Sequence, residues 1–147
     1  MTPSLRSLVP TPLRELGCGA TGPATVAQVW WNYVHPQAWS TWAPQIRRVD
    51  YPHRTLTPGV GGSVYGPLSV RVFFEVERVD AVRHTWQWRV WLVTRRLGIR
   101  LRHGVDSVDG HPGSRAWVTV EAPAPVVAPY VPLASYALHR LVHLTRS

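Results

Sequence analysis

Three stretches in the middle of the chain alternate between apolar and polar residues, which is the pattern of strands that bury one face. They span residues 69–79, 83–94 and 97–108. The residues predicted to face the interior are Val70, Val72, Phe74 and Val76 in the first stretch, Trp86, Trp88, Val90 and Leu92 in the second, and Ile99, Leu101, His103 and Val105 in the third. Because the opposite face is polar in each case, the stretches predict neighbouring strands of an antiparallel sheet with one wet face.

Four other stretches add strands to this sheet. Residues 13–20 predict a first strand weakened by two glycines, and residues 46–51 and 62–66 predict two short strands separated by a turn-rich segment. In residues 113–122, burial of Ala116, Val118 and Val120 would place Trp117 on the outer face. That is an awkward position for an indole.

Apolar residues recur at helical spacing in two segments. Between residues 21 and 36, Thr21 or Thr25 can cap a helix and Pro36 ends it. A second helix is predicted to begin at Pro132 and to run to the end of the chain. Its apolar stripe is Leu133, Ala137, Leu141 and Leu144, its polar face is Ser135, His139, His143 and Arg146, and Tyr136 and Arg140 lie on the boundary. The order of elements predicts an α+β fold in which the long last helix covers the inner face of a curved antiparallel sheet.

The composition is rich in tryptophan. The chain has 147 residues, predicted as a flexible arm (residues 1–12) and a single domain (residues 13–147), with eight tryptophans but two phenylalanines. An indole joins a large flat apolar face to one N–H donor. The surplus therefore suits either a tryptophan-rich core or a pocket for flat, partly polar ligands, and both interpretations apply to Trp39 and Trp42.

The net charge of the chain is strongly positive, which raises the question of a nucleic-acid partner. The net charge is +8, and all 16 basic residues are arginines. They form no run of five or more, so we expect no nucleic-acid partner. The lone Cys18 excludes an internal disulfide and fits a cytoplasmic protein. No apolar stretch approaches the roughly 20 residues of a membrane span, and prolines interrupt the first residues, so neither a span nor a signal peptide is expected.

Six segments carry a resemblance to a known family. They are VWWNYVHPQAWSTWAP, IRRVDY, LTPGVGGSVYGP, VERVDAVRHTWQW, LRHGVDSVDGHPGS and the final amphipathic helix, which together cover about residues 20–146. In this order they resemble the START-like (SRPBCC) superfamily, in particular its polyketide cyclase/dehydrase-like branch. The resemblance implies the helix-grip fold, a sheet wrapped around the last helix with an internal apolar cavity. It also implies that WSTW closes one end of the cavity, with Trp39 in packing and Trp42 nearer the ligand.

His103 is the candidate catalytic residue. It lies at an inward position of an otherwise apolar strand face, where an imidazole needs a partner. It is either a hydrogen-bonded core histidine or a general acid or base for enolising a poly-β-ketone or losing water. The candidate ligand-binding residues are Trp42, Tyr33, Tyr65, Trp86, Trp88, Tyr136 and Arg140.

The sequence favours neither a cofactor nor a metal. It contains no phosphate-binding glycine loop, no G-x-S-x-G motif and a single cysteine, so no cofactor is expected. His139 and His143 have the i, i+4 spacing of a helical metal pair, but they lie on the predicted solvent face without a third ligand.

Two functions from different classes remain open. The first is an enzyme of aromatic or polyketide biosynthesis that binds a hydrophobic small molecule and assists its cyclisation or dehydration. The second is a non-catalytic carrier or sensor of such a ligand. With either function, the protein is expected to be a monomer or a homodimer. The arginines predicted on the outer sheet face would attract an acidic acyl carrier protein, if the substrate is tethered as the resemblance implies, or serve solubility alone. They are Arg71, Arg83, Arg89, Arg100 and Arg102.

Overall fold

A computed structural model describes the backbone of residues 13–145 and the side chains of residues 17–122 and 132–145. The predicted arm, residues 1–12, lies outside the described residues, and so does Arg146. The strands are β1 (Leu13–Gly22), β2 (Arg48–Asp50), β3 (Gly61–Tyr65), β4 (Arg71–Asp80), β5 (Thr85–Trp91), β6 (Ile99–Val108) and β7 (His111–Pro123). The α-helices are α1 (Val26–Val34), α2 (Trp39–Trp42) and α3 (Ala124–Val142).

The seven strands form one curved antiparallel sheet in the order β1-β7-β6-β5-β4-β3-β2. Two rows of paired residues cross its inner face; one is Val76, Trp88, Leu101 and Val120, and the next is Val79, Trp86, His103 and Val118. Buried side chains of both rows pack with those of α3 in one hydrophobic core. The α+β architecture and the inward positions predicted for β6 and β7 are thereby confirmed.

The ends of two strands differ from the prediction. Val70 is 48% exposed because the 3₁₀ turn Pro67–Ser69 precedes it, and β4 begins one residue later. Leu92 is 60% exposed because β5 ends at Trp91. Alternation in the sequence therefore extends beyond the paired residues at both places.

A β-bulge lies in the middle of β4. The pairing with β5 shifts between Val76 and Arg78, so that Glu77 is the extra residue. Strict alternation would place Arg78 on the inner face, whereas the bulge brings Val79 opposite Trp86 instead. The bulge thus keeps an arginine out of the core.

Thr25, rather than the alternative Thr21, caps the first helix. Its hydroxyl accepts from the Gln28 backbone N–H at 3.1 Å, and the Gln28 side chain accepts from the Thr25 N–H at 2.8 Å, which is a complete capping box. Thr21 belongs to β1. The helix buries Val29 and Tyr33 and ends at Val34, just before Pro36.

The last helix begins earlier than predicted and buries a different face. It follows β7 directly at Ala124, so Pro132 lies within it. Leu133 is 40% exposed, and Leu144 is half-buried beyond the helix end, so the predicted stripe is rotated from the true one. The buried residues are Ala134, Ala137, Leu138, Leu141 and Val142. No helix in the described part of the chain has the length and apolar character needed to cross a membrane.

The C-terminal end of α3 is fastened to the segment between β1 and α1. The Ala24 N–H donates to the Val142 carbonyl oxygen at 2.8 Å, and the Ser114 hydroxyl of β7 donates to the Ala24 carbonyl at 2.7 Å. A Cβ on Gly22 would lie 2.6 Å from the same Val142 oxygen, so the close approach requires glycine. This corner holds β1, β7 and α3 together.

Candidate functional site

A small cavity lies between the inner face of the sheet and the middle of α3. Its lining comes from α2 and the loop after it (Trp39, Trp42, Ala43, Gln45 and Ile46), from the sheet (Trp86, Trp88, His103 and Val118) and from α3 (Ala134, Ala137 and Leu138). The space open to the centres of water molecules is about 30 Å³. At about 10–15 Å³ for each water centre, this is room for about two waters.

Indole rings fill most of the interior around this cavity. The ring centroid of Trp39 lies 5.6 Å from that of Trp86 and 5.1 Å from that of Trp88, and Trp88 lies 5.2 Å from Phe74. Pockets for drug-sized ligands measure roughly 300–1,000 Å³. The cavity is therefore much smaller than such a pocket, and in this conformation the tryptophans act mainly as a packed core.

The mouth of the cavity lies in the loop after α2. Gln45 and Ile46 are half-buried, whereas the other lining residues in the described part of the chain are buried. The segment containing Trp39 and Trp42 therefore forms one wall, and the loop that follows it forms the opening. No pattern in the sequence points to Gln45 or Ile46, whereas the 134, 138, 141 spacing could have identified Ala134 and Leu138.

His103 lies at the base of the cavity with its ring between aromatic neighbours. It is 5% exposed, its ring is stacked on Trp86 at a centroid distance of 4.5 Å and an angle of 10°, and the Tyr33 ring meets it edge-on at 5.4 Å. Burial lowers the pKa of His103 from 6.5 to about 3, because no nearby charge offsets the desolvation of an imidazolium. At neutral pH the ring is therefore uncharged, with one N–H donor and one nitrogen acceptor.

Several buried polar atoms around the cavity have no hydrogen-bond partner among the described residues. They are Nε1 of Trp42, Trp86 and Trp88, Oε1 of Gln45, and both ring nitrogens of His103. All of them belong to cavity-lining residues. Trp39 differs, because its Nε1–H donates to the Tyr33 carbonyl at 2.9 Å. Since an unsatisfied buried donor or acceptor costs about 1–3 kcal/mol, this clustering needs a reason.

Tyr33 contacts the cavity residues but directs its hydroxyl elsewhere. Its ring meets those of Trp42 and Trp86 edge-on at 5.9 Å. Its hydroxyl donates to the carbonyl oxygens of Gly104, at 3.1 Å, and Trp117, at 3.3 Å. Tyr33 therefore supports the wall of the cavity and ties α1 to β6 and β7.

Three predicted ligand-binding residues are not brought to the cavity. Tyr65 lies on the outer side of the sheet, where the Arg48 guanidinium carbon is 4.2 Å from its ring centre. Tyr136 is 56% exposed, and Arg140 is exposed and donates to the Thr41 carbonyl at 3.0 Å. The helix phase accounts for Tyr136 and Arg140, and the pairing of β3 with β4 accounts for Tyr65.

The histidine pair of α3 lies on its exposed face. The ring centroids of His139 and His143 are 4.2 Å apart, and Nδ1 of His143 is 2.7 Å from the His139 carbonyl oxygen. Within the described residues, no three His, Cys, Asp or Glu side chains are grouped so that they could hold a metal ion.

The outer face of the sheet is more neutral than its arginines predict. Glu77 on the bulge lies 3.0 Å from Arg100 and 3.6 Å from Arg89, and Glu121 lies 3.4 Å from Arg100. Burial opposes ionisation of Glu77, but hydrogen bonds from Arg100 and Gln87 hold its pKa below the ordinary value. Glu121, which the alternation of charges did not single out, thus joins Glu77 in pairing with these arginines.

Trp117 lies on the outer face, as predicted, and the structure shows how the indole is accommodated there. It is paired with Gly104 on β6, and its ring occupies the space that a side chain at Gly104 would need. Its Nε1–H donates to Oδ2 of Asp106 at 3.0 Å. The ring is therefore half-buried against backbone, and its polar atom is satisfied.

The chain is similar in structure to two solved proteins with little sequence identity. Ginseng major latex-like protein 151 from Panax ginseng matches with a TM-score of 0.73 and 11% identity, and Ara h 8.0201 matches with a TM-score of 0.68 and 16% identity. Each match covers 88% of this chain and 95% of the other. No family model and no curated protein matches the sequence. Both solved proteins have the Bet v 1-like helix-grip fold. The chain therefore has the helix-grip fold that the resemblance in its sequence implied.

Proposed function

We propose that the protein binds a hydrophobic, aromatic or polyketide-type small molecule between the sheet and α3. The observation that carries this proposal is the set of flat aromatic rings around the cavity, with a mouth at Gln45 and Ile46. Because the closed cavity has room for about two waters, binding requires the wall formed by this loop and α3 to move outward. A ligand then replaces indole–indole contacts by indole–ligand contacts of similar kind.

The test is calorimetric titration of the protein with fluorene, a rigid flat hydrocarbon. We expect saturable binding that is lost in Ala137→Leu, because the larger side chain occupies the cavity from α3. Leu97→Ala, at a position 78% exposed in the 3₁₀ turn between β5 and β6, is the control and should bind as the wild type does. Absence of binding, or equal binding by Ala137→Leu, would contradict the proposal.

A catalytic role in cyclisation or dehydration is the second candidate, and the buried His103 favours it. A neutral imidazole beside a bound ketone can accept the proton from the α-carbon, and the C–H electron pair then becomes the enolate. The low pKa makes His103 a weak base while the cavity is empty of charge, but a developing enolate beside the ring raises that pKa. The substrate would be held mainly by the aromatic side chains that line the cavity.

Deuterium exchange at the α-carbon of 1-indanone in D₂O tests this role. We expect His103→Ala to lower the protein-dependent exchange rate about 10²–10⁴-fold, while affinity for 1-indanone changes less than about tenfold. His103→Gln, which retains hydrogen-bonding atoms, serves as the folding control. An exchange rate in His103→Ala equal to that of the wild type would leave the carrier function, with His103 as a structural residue.

We also propose a cytoplasmic location and an acidic protein partner. With a lone, half-buried Cys18 the protein suits the reducing cytoplasm. An acidic acyl carrier protein would meet the outer sheet face at Arg102, which is exposed and has no ion pair among the described residues. Arg102→Glu should then weaken binding of such a carrier, and added salt should do the same. Arg100→Glu is the comparison, because Arg100 is already paired with Glu77.

A further inference from the structure

We propose that the ligand of this cavity carries a carbonyl oxygen, which accepts hydrogen bonds from one or two of the indole N–H groups of Trp42, Trp86 and Trp88. This inference rests on the proposed function and adds the chemical class of the ligand. The three indoles are at most 8% exposed, and none of their Nε1 atoms has a partner among the described residues. An indole nitrogen can only donate, so each of the three requires an acceptor.

Among the described residues, the buried side-chain donors without a partner all belong to the cavity. Trp39 packs within the same cluster, yet its N–H is used by the Tyr33 carbonyl. Trp117, on the other side of the sheet, donates to Asp106. The protein thus satisfies the N–H groups of Trp39 and Trp117. The indoles of Trp42, Trp86 and Trp88, which line one cavity, have no partner for this group among the described residues.

The balance of donors and acceptors identifies the kind of group that fits. Three indole N–H groups and one N–H of the neutral His103 are donors, whereas Oε1 of Gln45 and the other imidazole nitrogen are acceptors. Donors are thus in excess, which favours a guest that accepts hydrogen bonds. No arginine is among the lining residues described, so a full carboxylate would be buried without a counter-charge. A neutral carbonyl on a flat aromatic skeleton meets both requirements.

The test compares 9-fluorenone with fluorene, which has the same flat skeleton but a CH₂ group in place of the carbonyl. Affinities are measured by calorimetry and corrected for the octanol–water partition of each compound. We expect the wild type to prefer fluorenone by about tenfold or more, as one or two added hydrogen bonds would give. The carbonyl stretching band of bound fluorenone should also move to lower frequency than in hexane, which needs no variant.

The variants separate the donors from the rings that carry them. Trp86→Phe and Trp88→Phe each keep an aromatic ring without the N–H, and we expect each to reduce the preference for fluorenone. Trp117→Phe makes the same change of ring on the outer face of the sheet, where the N–H donates to Asp106, so the preference should remain.

Each result distinguishes this inference from the proposal on which it rests. Equal corrected affinities for the two compounds, or a carbonyl band at its hexane position, would overturn the carbonyl site while the hydrophobic site stands. Failure of both compounds to bind would overturn the site and the carbonyl with it. A preference that survives undiminished in both Trp86→Phe and Trp88→Phe would also refute the assignment of these donors.

Discussion

Acidification should lower the free energy of unfolding, and the contribution of His103 to this effect follows from two pKa values. The pKa of this ring is lowered to about 3 in the folded state, against 6.5 in the unfolded chain. Above pH 6.5 the ring is neutral in both states, so its contribution to stability is complete there. As the pH falls from 6.5 towards 3, the unfolded chain takes up a proton that the folded protein excludes, and stability is lost.

The magnitude follows from the interval between the two pKa values. Each pH unit in that interval costs about 1.4 kcal/mol, so a change from pH 7.5 to pH 4.5, two units below 6.5, lowers the free energy of unfolding by about 2.7 kcal/mol. The assay is urea unfolding at both pH values for the wild type and for His103→Gln, which cannot titrate. The pH effect should be larger in the wild type by about 2–3 kcal/mol.

A control variant and an NMR measurement test this prediction independently. His53→Gln is the control variant, because His53 is exposed and lies outside the buried core. The reasoning is refuted if His103→Gln loses as much stability on acidification as the wild type does. It is equally refuted if the ring signals of His103 in NMR spectra titrate near pH 6.5 in the folded protein.

Two further predictions concern the fold around the site and are checked by urea unfolding at pH 7.5. Gly104→Ala should lower the free energy of unfolding by about 1–3 kcal/mol, because the added carbon meets the Trp117 ring; Gly17→Ala, where the nearest atoms are at ordinary contact distance, should cost far less. Thr25→Ala should cost about 1 kcal/mol through loss of the helix cap. Thr21→Ala, at the alternative cap that the structure does not use, is its matched control, and an equal cost would contradict the assignment.

The inner faces of the strands could be predicted because alternation survives wherever strands are paired in regular register. His103, Leu101 and Trp88 all lie where period two places them. The bulge at Glu77 could not be predicted, since an inserted residue shows itself only through the partner strand. The outward position of Tyr65 could not be predicted either, because its pairing with Arg71 on β4 fixes the side of the sheet on which it lies.

The site was only partly visible in the sequence. A polar residue on an apolar strand face was enough to select His103, and the spacing of Trp86 and Trp88 placed both beside it. The phase of the last helix was ambiguous, because Leu133 and Ala134 both suit an apolar stripe that includes Leu141. Whether indoles fill a space or surround it depends on packing at the scale of about one ring, which no pattern of residue types encodes.

The hydrogen bond from Ala24 to Val142 fixes the C-terminal end of α3, so a tilt of the helix would pivot at that end. Ala134 lies eight residues before Val142, a distance of about 12 Å at 1.5 Å per residue. A tilt of about 10° about the Gly22 corner would therefore move Ala134 about 2 Å away from the sheet while the hydrogen bond from Ala24 stays in place. Displacement grows with distance from this corner, so the space beside the cavity would open as a wedge that is wider at Ala134 than at Val142. The length of a ligand would then be set by how far the wedge extends along the helix, and its thickness by the angle of tilt.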